Sequence, residues 1–258
     1  MVLAVFSIYI LLPPLWVLRT SFIPDSSAYQ VALLPDITLA NFIKLFAKDD
    51  FALACGDSFI AAAGSTLLGL PIAAMTGYAF ARYRTGGQAS RLFVLATQML
   101  PPVALVLPTF ALFRLVGLTN SVTGLVVAYG AINLPFLTWI LMGFFEGLPV
   151  ELEWAAMTDG ATAWSAFWRI VLPISLPGLA AAGVLGFILA WNEFLFALIL
   201  TGPTTATIPV ALAGLQSQNG VQIAEISAGV VLAVLPLLIA SRFIQKHLVR
   251  GLTFGAIK

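Results

Sequence analysis

Few residues in this chain have side chains that could carry out chemistry. Its single cysteine, Cys55, excludes an intrachain disulfide, and its single histidine, His247, excludes a metal site built from several histidines. The sequence has no G-x-x-x-x-G-K-[ST] loop for nucleotide phosphates, no G-x-S-x-G nucleophile turn and no H-E-x-x-H zinc motif. The residues therefore give no support to an enzyme with its own nucleophile, metal ion or bound nucleotide.

Glu193 is the one charged residue that falls clearly inside a long hydrophobic run. Two interpretations stay open for it. A carboxyl group at such a depth is a functional-site hypothesis by default, or it makes a hydrogen bond that fixes two helices. The same choice applies to Asn133 and Asn192, where a structural hydrogen bond is the favoured interpretation. One ionisable group is too few for a typical ion-coupled carrier, which places several in its membrane helices.

The composition assigns the chain to the membrane. Hydrophobic residues make up 60% of its 258 residues and charged residues 9%, with a mean hydropathy of +1.03. Soluble domains are about 45–50% apolar and about 25% charged, so a soluble enzyme, a nucleic-acid binder and a disordered protein are excluded. Membrane helices of about 20 residues predict an all-α, polytopic protein of one domain, 1–258. The six predicted spans cover about 2–22, 51–81, 92–115, 122–145, 176–200 and 223–244.

The distribution of Lys and Arg predicts the orientation, because cytoplasmic loops carry an excess of them. With six spans, one face of the membrane holds eight Lys and Arg residues: Arg82, Arg84, Arg91, Arg169, Arg242, Lys246, Arg250 and Lys258. The other holds four: Arg19, Lys44, Lys48 and Arg114. We therefore expect both termini in the cytoplasm and an outer loop at 23–50.

The insert between spans 4 and 5, residues 146–175, has the pattern of two short helices. Pro149 suits the first turn of a helix, and Glu151 and Glu153 lie in that turn, where the helix dipole favours acids. Asp159 and Gly160 end this helix, with Gly160 able to adopt a left-handed conformation. A second helix follows, from about 162 to 172, with apolar residues around much of its surface. Such a surface packs on its own bundle or on another protein.

The insert resembles the cytoplasmic loop of ABC-importer permeases, whose pattern is E-A-A, three residues, G, nine residues, I-x-L-P. Ala155-Ala156 are followed after three residues by Gly160 and after nine more by Ile170, then Leu172-Pro173. Trp154 stands where the pattern has its acid. Three further segments resemble the maltose-type second permease of the carbohydrate-uptake branch: QMLPPVALVLPTFALFRLVGL at 98–118, WNEFLFALILT at 191–201 and RGLTFGAIK at 250–258.

This resemblance implies a type I ABC-importer permease fold in the bacterial inner membrane. The expected partners are a second permease, two ATPase subunits that hold ATP and Mg, an extracytoplasmic solute-binding protein and membrane lipid, with a carbohydrate as substrate and no nucleic acid. The chain itself is then a transport subunit without a bound cofactor or metal. The alternatives are the same machine with a polyol, glycerol phosphate or another small solute, or a stand-alone ion-coupled carrier using Glu193.

The resemblance also implies roles for particular residues. The two short helices of the insert, joined at Gly160, form what we call the elbow. By the resemblance, the elbow corresponds to the coupling helix that sits in a groove of the ATPase subunit. The expected docking residues are Glu151, Glu153, Trp154, Ala155, Ala156, Asp159, Gly160, Ala161, Ile170, Leu172 and Pro173. The candidates for the translocation path are Asn133, Trp191, Asn192 and Glu193.

Overall fold

A computed structural model describes residues 2–28, 36–47, 49–217 and 220–255. Parts of the predicted outer loop (29–35 and Lys48) and Lys258 of the tail lie outside these residues. The prediction of an all-α protein is confirmed. The helices are α1 (Val2–Ser21), α2 (Ala40–Ala47), α3 (Asp49–Tyr83), α4 (Gly87–Gln98), α5 (Pro102–Leu115), α6 (Val122–Glu146), α7 (Glu151–Thr158), α8 (Ala163–Ala166), α9 (Leu172–Ile174), α10 (Leu176–Trp191), α11 (Leu195–Leu200), α12 (Ile208–Gly214) and α13 (Ile223–Gly255). A 3-10 turn (Asp25–Ser27), a π-helical turn (Phe167–Val171) and the two-residue antiparallel strands β1 (Gln216–Ser217) and β2 (Gly220–Val221) complete the described elements.

Three helical segments in the described residues are long and apolar enough to cross a membrane: Asp50–Tyr83, Val122–Glu146 and Ile223–Arg242. Two bent pairs also qualify if each is one span, which raises the number to five. The apolar segment Val5–Ser21 in α1 is shorter. Helix length and composition thus support three to five spans, and the six predicted from the sequence remain a prediction.

The predicted interruption of span 3 is a sharp bend, with α4 and α5 at 90° to each other. Pro101 and Pro102 lie at the bend. Neither proline can donate a backbone hydrogen bond, and a residue before proline avoids the helical region. Pro108 lies inside α5 without ending it. The pair Pro101-Pro102 thus coincides with the bend, whereas α1 continues through Pro13-Pro14 and α5 continues through Pro108.

Helices α3 and α6 form the centre of the bundle. Residues from 64 to 77 of α3 contact residues from 126 to 142 of α6 in the same order, which shows that the two helices run parallel. Small residues allow the close approach. A Cβ added at Gly77 would lie 3.0 Å from the backbone nitrogen of Met142 and 3.0 Å from the carbonyl oxygen of Thr138. Side chains of both helices fill one hydrophobic cluster that includes Tyr78 and Phe145.

Helix α10 packs antiparallel against this pair. Gly178 faces Phe144, and Gly186 faces Leu137 and Thr66. At one end of the bundle, here called the elbow end, α3 and α6 terminate and residues 147–175 begin. We call the opposite end the loop end.

Backbone hydrogen bonds tie the segments of the loop end together. The Asn120 N–H donates to the Leu200 carbonyl at 2.7 Å, and the Ile208 N–H donates to the Ser58 hydroxyl oxygen at 2.8 Å. The Ala224 N–H donates to the Asp25 carboxylate at 3.0 Å, so an acid stabilises the first turn of α13. These bonds fix the ends of α6, α3 and α13 that lie farthest from the elbow.

Candidate functional site

The first half of the elbow is α7, which ends in a Schellman motif. The Ala161 N–H donates to the Ala156 carbonyl at 3.0 Å, and the Gly160 N–H donates to the Met157 carbonyl at 3.1 Å. Gly160 has a φ of +90°, in the region that favours glycine. The turn thus satisfies the last carbonyls of α7 and reverses the chain.

The second half of the elbow is a continuous but irregular helix. The Thr162 hydroxyl oxygen accepts a hydrogen bond from the Ser165 N–H at 3.2 Å, which caps α8. The Leu172 N–H then donates to the Phe167 carbonyl five residues before it, so the chain forms a π turn where a uniform helix was predicted. Pro173 follows this turn and has no N–H to continue the regular pattern. The elbow then bends by 73° into α10.

The surface of the elbow carries large apolar side chains, which we call the aromatic face. Its members are Leu152, Trp154, Met157, Trp164 and Trp168, whose exposed fractions lie between 43% and 62%. The rings of Trp164 and Trp168 are in edge contact, with centroids 5.6 Å apart. Exposed apolar groups of this size and number are typical of a surface that contacts another protein.

The predicted docking residues divide between the surface and the interior. Glu151, Ala155, Asp159, Gly160 and Pro173 are exposed, in addition to Trp154. Ala161, Ile170 and Leu172 are half-buried, and Ala156 is buried. Glu153 is also buried, with 6% of its surface exposed. It therefore faces the bundle of its own chain.

The Glu153 carboxylate is held by two side chains from the end of α3. The Tyr78 hydroxyl donates to Oε2 at 2.6 Å, and Arg82 Nε donates to Oε1 at 2.6 Å. Arg82 Nη2 also donates to the Leu148 carbonyl at 3.0 Å. We call Tyr78, Arg82 and Glu153 the clamp.

Tyr78 and Arg82 are not among the site residues predicted from the sequence. A tyrosine and an arginine four positions apart lie on one face of a helix, and this pair closes the last turns of a predicted span. Their spacing indicates that both side chains can hydrogen-bond to the same neighbouring loop. It could not indicate which acid they bind.

A second arginine fastens the end of α6. Arg91 of α4 forms an ion pair with Glu146 at 2.9 Å and donates to the Phe80 carbonyl of α3. Both side chains are partly exposed, 25% for Arg91 and 43% for Glu146. This pair is therefore more solvated than the clamp.

Glu193 lies in a break between α10 and α11, a break absent from the predicted span 176–200. Its carboxylate accepts the Phe196 N–H at 3.0 Å and the Ala197 N–H at 3.2 Å. Those groups would otherwise be unpaired at the start of α11. These hydrogen bonds hold the start of α11, and a functional role for Glu193 stays a hypothesis.

The other path candidates are placed differently. The Trp191 Nε1–H donates to the Ala233 carbonyl at 3.0 Å, and its buried ring stacks on Phe187. Asn192 is exposed and donates to the Ile188 carbonyl at 2.8 Å. Asn133 is half-buried on α6. Only Trp191 connects two long helices.

The hydroxyl groups of Tyr129 and Thr207 are buried and make no hydrogen bond within the described part of the chain. The Tyr129 hydroxyl lies near the Glu193 carboxylate. Asn133 follows one turn after Tyr129 on the same face of α6. Among the described residues, no group of three or more His, Cys, Asp or Glu could hold a metal ion.

Residues 65–254 match the model of the family described as the inner membrane component of binding-protein-dependent transport systems. The chain belongs to this family. The permease is thus a multi-pass protein of the inner membrane, and its prediction as a transport subunit whose ATPase lies on separate subunits is confirmed.

Curated relatives match nearly the whole permease. It is 36% identical to the trehalose transport system permease protein of Mycobacterium tuberculosis, over 97% of this chain and 93% of the relative. It is 34% identical to the trehalose/maltose transport system permease protein of Thermococcus litoralis, over 98% of this chain and 93% of the relative. It is 35% identical to the sulfoquinovosyl glycerol transport system permease protein of Agrobacterium fabrum, over 96% of this chain and 89% of the relative.

A solved structure has the same fold. The permease superposes with a TM-score of 0.79 on a chain of a bacterial ABC transporter involved in the import of the acidic polysaccharide alginate. The match covers 95% of this chain and 93% of that chain at 20% identity. A second match is a bacterial alginate ABC transporter in complex with a periplasmic protein that holds an alginate pentasaccharide. Its TM-score is 0.70 at 18% identity, and the match covers 95% of this chain and 90% of that chain. The fold is therefore that of an ABC-importer permease.

Proposed function

We propose that the permease imports a carbohydrate, which an extracytoplasmic binding protein delivers and separate ATPase subunits drive across. The observation that carries this proposal is the similarity over nearly the whole chain to permeases named for trehalose and for trehalose and maltose. A relative named for diacetylchitobiose uptake and one named for maltodextrin transport add to it, at 33% and 32% identity.

A second cargo has its own support. The relative named for sulfoquinovosyl glycerol is as similar as the disaccharide permeases, at 35% identity. A polar compound other than a simple sugar, such as a polyol or a glycoside of glycerol, is therefore the alternative substrate of the same machine. A stand-alone ion-coupled carrier is disfavoured, because the family depends on binding proteins and the Glu193 carboxylate accepts hydrogen bonds from backbone N–H groups.

Uptake by the reconstituted complex tests the substrate. Proteoliposomes holding the permease, its partner permease, the ATPase subunits and the binding protein are given labelled trehalose, maltose, a maltodextrin or a glycoside of glycerol. We expect ATP-dependent accumulation of a sugar and none of the glycoside of glycerol. Accumulation of the glycoside of glycerol alone would favour the alternative cargo, and accumulation without ATPase subunits would contradict the proposal.

We propose that the elbow is the ATPase-docking segment and that the aromatic face makes most of its apolar contacts. Trp154 stands at the usually acidic position and is 60% exposed, so it would replace an ionic contact by an apolar one. In this proposal, ATP closes the ATPase dimer, the elbow follows, and the helices switch from inward-facing to outward-facing. Of the predicted docking residues, those on the surface would contact the ATPase and the buried ones would support them.

The assembly would contain a second permease, two ATPase subunits and the binding protein, with both termini of this chain and the elbow in the cytoplasm. The Lys and Arg distribution supports this orientation.

Single cysteines at Thr162 of the elbow or Asn120 of the loop end, in a Cys55→Ala background, test the orientation. We expect a membrane-impermeant maleimide to label Asn120→Cys in intact cells and Thr162→Cys only in inverted vesicles. Labelling of both from one side would contradict it.

A translocation path past the break between α10 and α11 follows from the same proposal. Asn133 and Asn192 have exposed surface that a passing solute could contact. Trp191 and Glu193 would shape the path by holding α10 and α11 in place.

A further inference from the structure

The chain connects the elbow directly to two helices only. Residues 147–175 follow α6 and precede α10. Helix α3 is distant in sequence, yet it packs along both α6 and α10 and ends beside the elbow. Any movement of the elbow reaches α3 through non-covalent contacts alone.

The clamp is the contact between the elbow and α3 that combines an ion pair, hydrogen bonds and burial. Both oxygens of Glu153 are used, one by Tyr78 and one by Arg82. Exposure of the ion-paired side chains is 11% for Arg82 and 8% for Glu153. A buried ion pair requires good geometry and further hydrogen bonds to offset its lost hydration, and the Leu148 carbonyl provides one for Arg82. Such a pair holds one defined orientation of α7 against α3.

The ring of Tyr78 extends the clamp to the rest of the elbow. Its centroid lies 4.7 Å from that of Phe167, in the π turn, and 5.8 Å from that of Phe145, at the end of α6. Phe167 and Phe145 are both fully buried. One side chain of α3 thus contacts α6, α7 and the second half of the elbow.

We propose that Tyr78, Arg82 and Glu153 are positioning residues that keep α7 fixed to α3 throughout the transport cycle. Movement imposed on the elbow then passes to α3, and α3, α6 and α10 move as one body. This inference rests on the proposed function, since it requires an ATPase that moves the elbow. It assigns Glu153 to transmission inside the chain and leaves ATPase contact to the exposed aromatic face.

A cysteine pair tests the clamp in the full importer. The double variant Arg82→Cys/Glu153→Cys is made in a Cys55→Ala background, so it removes both buried charges together and introduces the only thiols of this chain. We expect the ATPase subunits to co-purify, while solute transported per ATP hydrolysed falls at least tenfold. A short bifunctional thiol reagent that joins the two cysteines should restore most of the loss, because it renews the tie without the charges.

The pair Arg91→Cys/Glu146→Cys is the control, since it removes an ion pair that is more solvated than the clamp. We expect its coupling ratio to stay within twofold of the parent. If the clamp variant is poorly inserted, the charge-exchanged pair Arg82→Glu/Glu153→Arg replaces it, with partial recovery expected relative to either single change.

The outcomes separate the two proposals. Normal coupling in the clamp variant before cross-linking would overturn the clamp, and so would a cross-link that blocks transport, because the clamp would then have to open during the cycle. Charge exchange that recovers nothing relative to the single changes would also count against it. A parent chain that neither co-purifies with an ATPase nor transports any solute would overturn the proposed function instead.

Discussion

Glu193 is a half-buried acid whose carboxylate makes hydrogen bonds within its own chain. Its carboxylate accepts N–H groups of Phe196 and Ala197 at the start of α11. An acid in this position also interacts favourably with the helix dipole. These hydrogen bonds satisfy the start of α11 after the break that follows α10.

We predict that Glu193→Gln keeps most of the uptake but lowers the stability of the permease. The amide keeps an acceptor oxygen but loses the favourable interaction of the charge with the helix dipole, which is worth about 0.3–1 kcal/mol. Thermal unfolding of the purified complex measures this loss. Asp36→Asn, a change at an exposed acid outside the helices, is the control and should leave the unfolding midpoint unchanged. Lost uptake at an unchanged midpoint would assign Glu193 to the path.

Gly160 is constrained by its backbone and not by its neighbours. Its φ is +90°, and a Cβ added there would meet nothing within 4 Å. We predict that Gly160→Val lowers the ratio of transport to ATP hydrolysis while membrane insertion stays normal, because a β-branched residue resists this conformation. Gly160→Asn is the control, since asparagine tolerates left-handed backbone. Equal coupling in the two variants would contradict a role for the turn.

At the scale of helices, the contact between α3 and α6 depends on Gly77. A Cβ there would press on the backbone of Met142 and Thr138, which cannot rotate away. We predict that Gly77→Ala destabilises the permease by about 1–2 kcal/mol, since overpacking outweighs the gain in helix propensity. A fall of a few degrees in the unfolding midpoint would reveal it.

Gly56→Ala is the matched change within the same helix, because a Cβ at Gly56 meets nothing within 4 Å. It should leave the midpoint unchanged or raise it slightly. Equal effects of the two substitutions would show that backbone propensity, and not the α3–α6 contact, controls stability.

Helix positions were predictable where hydropathy and breakers agree. The predicted span 122–145 corresponds to α6 at Val122–Glu146, and the proline pair predicts the break before α5. The break at Glu193 was missed because hydropathy stays high on both sides of it. The clamp was out of reach, since Arg82 and Glu153 are 71 positions apart and only the folded chain brings them together.

For the whole assembly, the aromatic face is the feature that should determine ATPase binding. We predict that Trp154→Ala weakens the affinity of the ATPase subunit for the permease about tenfold, because exposed tryptophans at interfaces often carry much of the binding energy. Binding to the permease in nanodiscs measures it. Trp139→Ala, an exposed tryptophan of α6, is the control and should bind normally. Unchanged affinity in Trp154→Ala would remove Trp154 from the docking surface.

The same exposed side chains have a consequence for synthesis in the cell. In the proposed assembly an ATPase covers Trp154, Trp164 and Trp168, so a permease without its ATPase would present this hydrophobic surface to water, which favours aggregation. A permease made in excess of its ATPase is therefore an orphan subunit with a recognisable defect. Chaperones and proteases that act on exposed apolar surface would remove the surplus, so the lifetime of this chain should depend on the supply of its motor.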